Sequence, residues 1–579
     1  MRNETGILND LWSLLARHHR LIAAIMLVVF LLGGLVAAYR WQNPGGQPSP
    51  VQVAAGPVSC HRDPAHVPAP PPNAANYLHT CGSQIYDAHG RLVKITGVSW
   101  FGLETANMAP DGLWARNWQT ILAQLSALGY NTLRLPFSDD IFQPNARPSG
   151  INYLLNPDLQ GLTSLQIMDK VIAGARQYGL RVLLDRHRPS SAGQADLWYT
   201  TTRSEAQWIA EWKILAQHYR GNDTVIGADL NNEPRGPATW GTNDPATDWR
   251  LAAQKAGNTI LAVNPYWLIF VEGIEREGND YYWWGGNLEG VARAPVILNQ
   301  PNRVVYSPHD YGPDVYPEGW FNVASFPNNL PSVWDQHWGY IAEQGIAPVV
   351  LGEFGGRSVG SDKEGQWQRA LINYLAEHNI GFISWALNPD SGDTGGLLDD
   401  NWMTVVSAKQ NLYSSQLGSK IKPGQGPVTQ ALQPLRVIYH SIPASSGAVN
   451  ASFEVTVFND TGQPVPLSQL SLRYWFAEDP NTLAAAVDWA LLGSGHVQAT
   501  IHAESRAQQR GYIAITFDSG AGDLPAFGTT GPILVRYHRG DWAPVDPQHD
   551  FSYFNSQTDV TASRIDLYQN GRLVWGSSP

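Results

Sequence analysis

The sequence predicts an α/β fold, a (β/α)8 TIM barrel, followed by an all-β sandwich. Between residues 94 and 390, eight short apolar runs alternate with segments of helical periodicity, which is typical of a barrel of parallel strands. Polar and aromatic residues crowd the carboxyl ends of these runs, where such a barrel places its active site. After residue 434, short strand-like runs are separated by Gly, Asn, Asp and Pro, which indicates the sandwich.

The composition indicates a globular, aromatic-rich protein with an uncharged partner. Only 15% of its 579 residues are charged, and it contains 23 Trp and 23 Tyr. The net charge of −12 provides no basic patch, which argues against nucleic-acid binding. Indole and phenol rings can stack on sugar faces without charges, so a neutral polysaccharide suits this composition.

The N-terminus predicts a membrane-spanning helix that directs the rest of the chain out of the cell. Residues 21–39 carry no charge and would span about 28 Å as a helix, close to the thickness of a bilayer core. Arg17 and Arg20 precede this run, so residues 1–20 are expected to stay in the cytoplasm. A cleaved signal peptide is the alternative, because residues 36–38 are small enough for a cleavage site.

Residues 40–74 are rich in Pro and predict an extended linker. The chain has two cysteines, Cys60 and Cys81, and both follow the apolar run. In an exported chain a disulfide between them is expected. The 20 intervening residues and the lack of a nearby His-rich pattern argue against a zinc site.

The barrel is predicted for residues 75–418. The segments 164–180 and 363–380 show its helical periodicity, because each places apolar residues on one face. The eight predicted strands are 94–102, 132–138, 181–189, 225–234, 267–273, 304–312, 347–356 and 382–390.

A second linker, 419–434, precedes the sandwich predicted for residues 435–579. Several runs in the sandwich alternate apolar and polar residues, as strands with one buried face do. Asn570-Gly571 predicts a tight turn in a terminal hairpin. The predicted strands are 435–441, 451–459, 470–476, 512–518, 532–538 and the hairpin 563–576.

Two glutamates stand where predicted barrel strands end, Glu233 in NEP and Glu353 in GEFG. A strand end holds a carboxylate rigidly and aims it over the sheet. A glycosidase needs two such groups, one acid to protonate the leaving oxygen and one carboxylate to attack the anomeric carbon. The alternative is that each glutamate caps a strand or pairs with an arginine.

The stretch from residue 77 to 415 resembles glycoside hydrolase family 5, especially its bacterial secreted endo-β-1,4-glucanases. The motifs that carry the resemblance are GVSWFGLET, GYNTLRLPFSDDI, LQGLTSLQIMDK, LLDRHRP, DLNNEP, YWWGGNL, PHDY, LGEFG and NPDSGDTGG. The resemblance implies a retaining cellulase that hydrolyses internal β-1,4-glucosidic bonds by double displacement, with no cofactor for catalysis. Asn231 departs from the LHNEP of relatives in this branch, but it neighbours the site without carrying the chemistry.

The same resemblance implies that Glu233 is the acid/base and Glu353 the nucleophile. The matching motifs place six more residues in the substrate site: Arg134, His187, Asn232, His309, Tyr311 and Trp385. Trp100 and Trp240 belong to an aromatic cluster expected to line sugar subsites, with packing at the barrel rim as the alternative.

The charge states of the two glutamates follow from their expected roles. Glu353 must be ionised to attack, and Arg134 can lower its pKa through a charge-assisted pair. Glu233 must hold a proton near neutrality, which requires partial burial or negative neighbours.

The remaining site residues are expected to bind or orient. Asn232 can donate to the sugar 2-hydroxyl, an interaction that strengthens toward the transition state. Tyr311 can hold the nucleophile, His309 can orient the acid, and Trp385 offers a flat floor for the sugar. Each has an ordinary structural alternative, as a satisfied core histidine or a packed aromatic ring.

Residues 435–579 resemble family 3 cellulose-binding modules. The matching segments are NDTGQPVPLSQLSLRYWF, VDWALLGSG, VRYHRGDW and YQNGRLVWG. In that family a flat strip of polar and aromatic residues lies on crystalline cellulose. The matching positions are Asp488, Trp489, His496, Arg536 and Trp542. Burial of the tryptophans in the sandwich core is the alternative.

This second resemblance also implies a structural calcium ion. The matching carboxylates are Asp479 and Asp550, and further oxygens would come from Ala477, Asp546 and His549. Carboxylate oxygens suit this hard cation. Ala477 and His549 depart from the usual Thr and Asn, which weakens the match.

Together these patterns predict an extracellular, monomeric cellulase that binds cellulose or a related β-glucan. Residues 21–39 would anchor it to the cell membrane, or it would be secreted after cleavage. A mannanase or xyloglucanase on the same scaffold is one alternative. A catalytically silent surface protein that holds cellulose is another, and the presence of both Glu233 and Glu353 argues against it.

Overall fold

The computed structural model describes residues 76–144, 146–421, 434–443, 447–505 and 510–579. The predicted cytoplasmic segment, membrane anchor and Pro-rich linker lie outside these ranges, so they stay predictions. Cys60 also lies outside them, and its pairing with Cys81 stays a prediction. Among the described residues, none of the helices has the length and apolarity needed to cross a membrane.

Eight parallel strands form the predicted barrel. They are β1 Thr96–Ser99, β2 Thr132–Ser138, β3 Arg181–Arg188, β4 Val225–Asp229, β5 Leu268–Val271, β6 Val304–Tyr306, β7 Val350–Leu351 and β8 Gly381–Ser384. Strands β1 to β6 pair in chain order, β8 pairs with β1, and β7 pairs with β8. Bridges from Tyr306 to Val349 and from His309 to Glu353 join β6 to β7 and close the barrel.

Helices follow most of the barrel strands. They are α1 Trp118–Ala127, α2 Ser164–Gln177, α3 Glu205–His218, α4 Trp249–Val263, α5 Leu330–Trp334, α6 Tyr340–Glu343, α7 Lys363–Glu377 and α8 Ser407–Ser414. Thr163 and Ser204 begin α2 and α3 with capping boxes, in which a glutamine three residues later completes the reciprocal hydrogen bonds. Asp248 and Asp362 cap α4 and α7 through their carboxylates.

The amino end of the barrel is closed by a small antiparallel sheet. Its strands are His79–Cys81, Gln84–Tyr86 and Leu92–Val93. Leu78 and Ile85 join the interior strand residues in one apolar cluster. Arg303, at the start of β6, donates to the carbonyl of Leu78 at 2.7 Å. This small sheet covers the amino ends of the barrel strands, so the site lies at their carboxyl ends.

Several predicted strands extend beyond the observed ones at their carboxyl ends. Only Val225–Asp229 of the run predicted over 225–234 is a strand, and only Val350–Leu351 of 347–356. Isolated backbone contacts continue beyond these strands, from Leu230 to Phe270 and from Glu353 to His309, and Glu233 adopts a left-handed conformation with φ of 50°. The apolar pattern therefore located each strand, while the polar residues after it belong to the site.

The C-terminal region forms the predicted sandwich from two five-stranded antiparallel sheets. The strands are β9 Leu435–Ile442, β10 Asn450–Asn459, β11 Leu470–Phe476, β12 Leu483–Ala490, β13 Val497–Ser505, β14 Arg510–Phe517, β15 Ile533–Arg539, β16 Val560–Thr561, β17 Ile565–Gln569 and β18 Arg572–Trp575. The sheet orders are β12-β15-β10-β9-β16 and β13-β14-β11-β17-β18. Apolar residues from both sheets form one core.

The sequence predicts the terminal hairpin of the sandwich but does not predict every strand. Asn570 and Gly571 have φ of 50° and 76° and turn the chain between β17 and β18, which confirms the hairpin. Strands β12 and β13 were not predicted. The pattern of β12 lacks clean alternation, because most of its side chains are partly or fully exposed.

Candidate active site

Glu353 is held from two sides just after the short strand β7. Arg134 Nη1, from β2, donates to Oε1 of Glu353. The hydroxyl of Tyr311, which follows β6, donates to Oε2 at 2.7 Å. Glu353 is buried, so its carboxylate relies on these donors in place of bulk water.

Arg134 lies at the centre of a buried charge network. Its Nε lies 3.0 Å from Asp229, and its Nη2 lies 3.1 Å from Asp185 and 3.4 Å from Glu272. Burial disfavours its charge, but these carboxylates and Glu353 raise the pKa of Arg134 well above its usual range. Burial also raises the pKa of Asp185 and Asp229 to about 6, although Arg134 opposes it.

Glu233 lies in the loop after β4 with its carboxyl group facing His309. Oε1 of Glu233 lies 3.0 Å from Nδ1 of His309. Its amide donates to Oε2 of Glu272 at 2.7 Å. Gln194 Nε2 lies 3.5 Å from the other oxygen, Oε2. Burial raises the pKa of Glu233, but the hydrogen bond and charge of His309 outweigh it, so the pKa lies below its usual value.

That direction differs from the expectation that partial burial or negative neighbours keep Glu233 protonated. The nearest ionisable neighbour of Glu233 is His309. Glu353 contacts the same ring, with its Oε2 3.5 Å from Nδ1 of His309. Carboxylate oxygens of Glu233 and Glu353 and a ring nitrogen of His309 all lie within 4.8 Å of one another. The two carboxyl groups therefore approach more closely than the roughly 6.5–9.5 Å typical of inverting glycosidases, whereas about 5–5.5 Å is typical of retaining ones.

Asn232 and His187 present polar atoms to the same space. Arg134 Nη2 donates to Oδ1 of Asn232 at 3.1 Å, and Nδ2 of Asn232 has no partner among the described residues. His187 Nδ1 lies 2.7 Å from Asp185, and burial lowers the pKa of His187 to about 3. The neutral ring thus donates from Nδ1 and leaves Nε2 as an acceptor. The ring of Trp385 lies parallel to His187, with centroids 5.1 Å apart.

Two protein-family models match this chain, one over the barrel and one over the sandwich. Residues 86–391 match the model of the family described as Cellulase (glycosyl hydrolase family 5), which is just over half of the chain. The chain belongs to glycosyl hydrolase family 5. Residues 437–576 of this family 5 protein match a second family, described as Cellulose binding domain.

Named relatives align with the barrel region. An endoglucanase of Paenibacillus polymyxa is 55% identical over 351 residues, which cover 60% of this chain and 87% of that protein. The major extracellular endoglucanase of Xanthomonas campestris is 46% identical and covers 60% of this chain and 72% of that protein. A solved endocellulase of Pyrococcus horikoshii in complex with cellotetraose is 42% identical, with a TM-score of 0.57, and covers 60% of this chain and 100% of that one.

Two tryptophans predicted to line sugar subsites of the family 5 barrel do not reach the site surface. Trp100 and Trp240 are 0% and 1% exposed. Their indole nitrogens donate at 2.9 Å to the carbonyls of Asp111 and Ala294. That assignment is wrong, because a fully buried ring with a satisfied nitrogen has no face left for a sugar. Trp284, which the motif YWWGGNL also contains, is nearly half exposed and keeps part of its ring accessible.

Several site residues in or directly after barrel strands were not predicted. Asp185, Asp229 and Glu272 surround Arg134 at the carboxyl ends of β3, β4 and β5. The available signal was the one that found Glu353, a carboxylate directly after a buried apolar run. Gln194 gave no such signal, because it lies in a loop without a regular pattern.

The sandwich carries most of the predicted cellulose-binding strip on its β12–β15 side. Arg536 contacts Asp488 through two nitrogens at 2.9–3.2 Å. Trp489 and Trp542 are 47% and 53% exposed, so neither belongs to the core. The ring of His538 stacks under Trp542 at 4.0 Å and was not predicted.

Among the residues predicted for the strip, His496 is the exception, because it contacts the opposite sheet. It lies in the loop between β12 and β13, and its Nδ1 lies 3.0 Å from Asp518, which follows β14. Gly520 lies against the same ring. His496 thus pairs with the opposite sheet, because its loop crosses from one sheet to the other.

The residues expected to hold calcium do not fit an ion. Both oxygens of Asp550 accept protein hydrogen bonds, Oδ1 from the amide of Ala477 at 2.9 Å and Oδ2 from the hydroxyls of Tyr474 and Tyr537. Oδ1 of Asp479 accepts the amide and side-chain nitrogens of the residue two positions on. An ion at this place would have to displace the donors that already contact Asp550.

Proposed function

We propose that this protein is a retaining endo-β-1,4-glucanase, with Glu353 as nucleophile and Glu233 as acid/base. The observation that carries the proposal is the approach of the two carboxyl groups at the carboxyl end of the barrel, where one oxygen of Glu233 lies within 4.8 Å of one oxygen of Glu353. The named relatives and the cellotetraose complex of a structural neighbour support a β-1,4-glucan as substrate.

In the first half-reaction Glu353 attacks the anomeric carbon and the bond to the leaving oxygen breaks. Glu233 gives its proton to that oxygen, so the products are a glycosyl ester on Glu353 and a shortened chain with a free hydroxyl. Arg134 and Tyr311 hold the two oxygens of the nucleophile in place for the attack. Asn232 Nδ2 can donate to the sugar 2-hydroxyl, which makes use of its unpartnered hydrogens.

In the second half-reaction water attacks the same carbon and the ester bond to Glu353 breaks. Glu233, now a carboxylate, takes the proton of the attacking water and returns to its acid form. The ester removes the negative charge of Glu353, so Glu233 no longer experiences its repulsion and keeps the positive His309 beside it. Both effects favour the carboxylate needed at this stage.

The sandwich would hold the enzyme on insoluble cellulose, because its family match and its exposed tryptophans support a flat binding strip. An insoluble polymer is met outside the cell, and one relative is named as extracellular, so we place the activity there. Membrane attachment through residues 21–39 remains part of this proposal only as the alternative to secretion.

Product stereochemistry and a polysaccharide panel test the proposal. NMR of the first product from a soluble cellulose should show the β-anomer, and early α-anomer would contradict a retaining mechanism. Residues 75–579 should hydrolyse soluble cellulose faster than mannan or xyloglucan. A preference for either of the other two polymers would assign the barrel to a different β-glycan.

A further inference from the structure

A third carboxylate, Glu272, contacts the acid/base machinery without facing the substrate space. It follows β5 directly and is completely buried. Its Oε2 accepts the amide of Glu233 at 2.7 Å, and its Oε1 lies 3.3 Å from Nε2 of His309. The proposed mechanism gives Glu272 no step of its own.

The contact with the Glu233 amide fixes a backbone of unusual conformation. Glu233 has φ of 50°, a left-handed conformation that side-chain-bearing residues seldom adopt and that surrounding structure must hold in place. Gly285 packs against both groups, since a Cβ there would collide with Oε2 of Glu272 and lie 3.2 Å from Cα of Glu233. The indole of Trp249 donates to the carbonyl of Glu272 at 2.9 Å and fixes the strand end.

The contact with His309 decides the protonation of that ring. One nitrogen faces Glu272, within ion-pair distance although not in a well-aligned hydrogen bond, and the other faces Oε1 of Glu233 at 3.0 Å. A ring between two carboxyl groups is stabilised as imidazolium, with a proton on each nitrogen. Nδ1–H then donates to Oε1 of Glu233.

This arrangement determines which oxygen of Glu233 can carry the acidic proton. If Oε1 accepts from His309, the proton of the acid form must lie on Oε2, which no strong donor occupies. A neutral His309 could instead accept from Oε1 and turn that proton away from the glycosidic oxygen.

We propose that Glu272 is a positioning residue, which keeps His309 doubly protonated and locks the Glu233 backbone so that Oε2 presents the proton to the leaving group. The inference rests on the proposed function, because it concerns the acid step of the same reaction. Other ionisable groups also face this set. They are Arg134, Asp185, Asp229 and Glu353 beside Glu272 and His309, and His187, Arg235 and Tyr311 around Glu233.

Burial opposes the charge of His309, but Glu272, Glu353 and the hydrogen bond to Glu233 raise the pKa of its ring well above the usual value. Burial also raises the pKa of Glu272 well above its usual value, and the positive charges of His309 and Arg134 oppose that shift. We place the proton of this pair on His309, because Glu272 accepts the amide of Glu233 and lies 3.4 Å from Arg134, as an ionised carboxylate would.

The predicted variant effect follows from this balance. In Glu272→Gln the ring therefore loses its counter-charge and becomes neutral. The positive charge nearest Glu233 then disappears, so the pKa of Glu233 rises.

The test is the pH profile of kcat/KM for the full chain. Glu272→Gln should lower kcat/KM at least tenfold at the optimum and move the alkaline limb upward by about one pH unit or more. Glu272→Asp keeps the charge, so its limb should stay at the wild-type pH although its rate falls. Glu364→Gln is the matched control. Glu364 is also buried and accepts a main-chain amide, that of Asp314 at 3.0 Å, so this variant should leave the limb unchanged.

An unshifted limb in Glu272→Gln, or equal shifts in Glu272→Gln and Glu272→Asp, would overturn the inference and leave the proposed function intact. Absence of glucanase activity in the wild type would instead overturn the proposed function. If Glu272→Gln does not fold, nitrogen NMR of histidine-labelled wild type decides, with the His309 signals assigned by a His309→Gln variant. Both ring nitrogens of His309 should be protonated at the active pH, and a neutral ring would refute the inference.

Discussion

The hydroxyl of Tyr311 donates a hydrogen bond of 2.7 Å to Oε2 of Glu353. Burial and the charge of Glu353 raise the pKa of Tyr311 well above its usual value, so the hydroxyl remains a donor throughout the working pH range. Arg134 holds the other oxygen of the same carboxylate. Arg134 from β2 and Tyr311 from the segment after β6 therefore fix the rotamer of Glu353 before substrate arrives.

Removing the hydroxyl should slow the reaction without changing the fold. Tyr311→Phe should lower kcat about 10- to 100-fold, since a hydrogen bond to a charged group contributes about 1.5–3 kcal/mol. Tyr219→Phe is the matched control, because Tyr219 donates to Asp169 at 2.8 Å on the helical shell of the barrel. Steady-state kinetics and melting curves should show lost activity only in the first variant. Equal kcat in both would contradict a role for Tyr311 in orienting Glu353.

The two catalytic glutamates should respond differently to substitution. Glu353→Ala should lose turnover and regain it with azide, giving an α-glycosyl azide, because a small anion can enter the space of the missing carboxylate. Glu233→Ala should still form the glycosyl-enzyme from substrates whose leaving groups need little protonation. Activity on an aryl cellobioside, with and without azide, distinguishes the two. Azide products of the same anomeric configuration from both variants would show that the roles are misassigned.

The sequence predicts the barrel and its main site residues because both depend on local pattern. Apolar runs mark the strands, and the residues that leave each strand end carry the chemistry, as Glu353 does after β7. Whether a single ring is exposed depends on residues that are distant from it in the sequence. Trp100 follows β1 as a site residue would, yet the loop that contains Asp111 folds over it.

The same limit applies to residues that act through other residues. Glu272 directly follows β5 as a carboxylate after an apolar run, but only the fold brings it to the amide of Glu233 and the ring of His309. The left-handed backbone of Glu233 was equally hidden, because a non-glycine residue gives no sign of a positive φ.

The reaction should slow as the pH rises from mildly acidic toward neutral. Glu233 must be protonated to act as an acid, and the hydrogen bond and charge of His309 lower its pKa despite burial. The protonated fraction therefore falls early as pH increases, and kcat/KM falls with it. An aryl cellobioside with a good leaving group should show a much weaker decline, since it needs little proton transfer. An equal decline with both substrates would assign the limb to a group other than Glu233.

Calcium should have no effect on the stability of the sandwich. The oxygens of Asp550 are occupied by Ala477, Tyr474 and Tyr537, so an ion would have to displace these donors. Melting curves of the full chain in EDTA and in excess calcium should coincide. A bound ion at 100 times its Kd would add about 2.7 kcal/mol to stability, and a corresponding rise in Tm with calcium would show that the site accepts the ion after all.

Binding to crystalline cellulose should depend on the exposed tryptophans of the β12–β15 side. Trp489 and Trp542 are about half exposed, and His538 supports the ring of Trp542 from beneath. A stacked aromatic ring contributes about 0.5–1.5 kcal/mol beyond its buried area, so the double variant Trp489→Ala/Trp542→Ala should bind at least about tenfold more weakly.

The matched control is Leu573→Ala, because Leu573 is an exposed apolar residue on β18 of the opposite sheet. Activity on soluble carboxymethyl cellulose should be unchanged in both variants, since the barrel alone carries the chemistry. Sedimentation with crystalline cellulose should fall only in the tryptophan variant. Wild-type sedimentation by a folded double variant would move the binding strip to another face of the sandwich. In that case the Arg536–Asp488 pair, which lies on the same side, would not contact cellulose either.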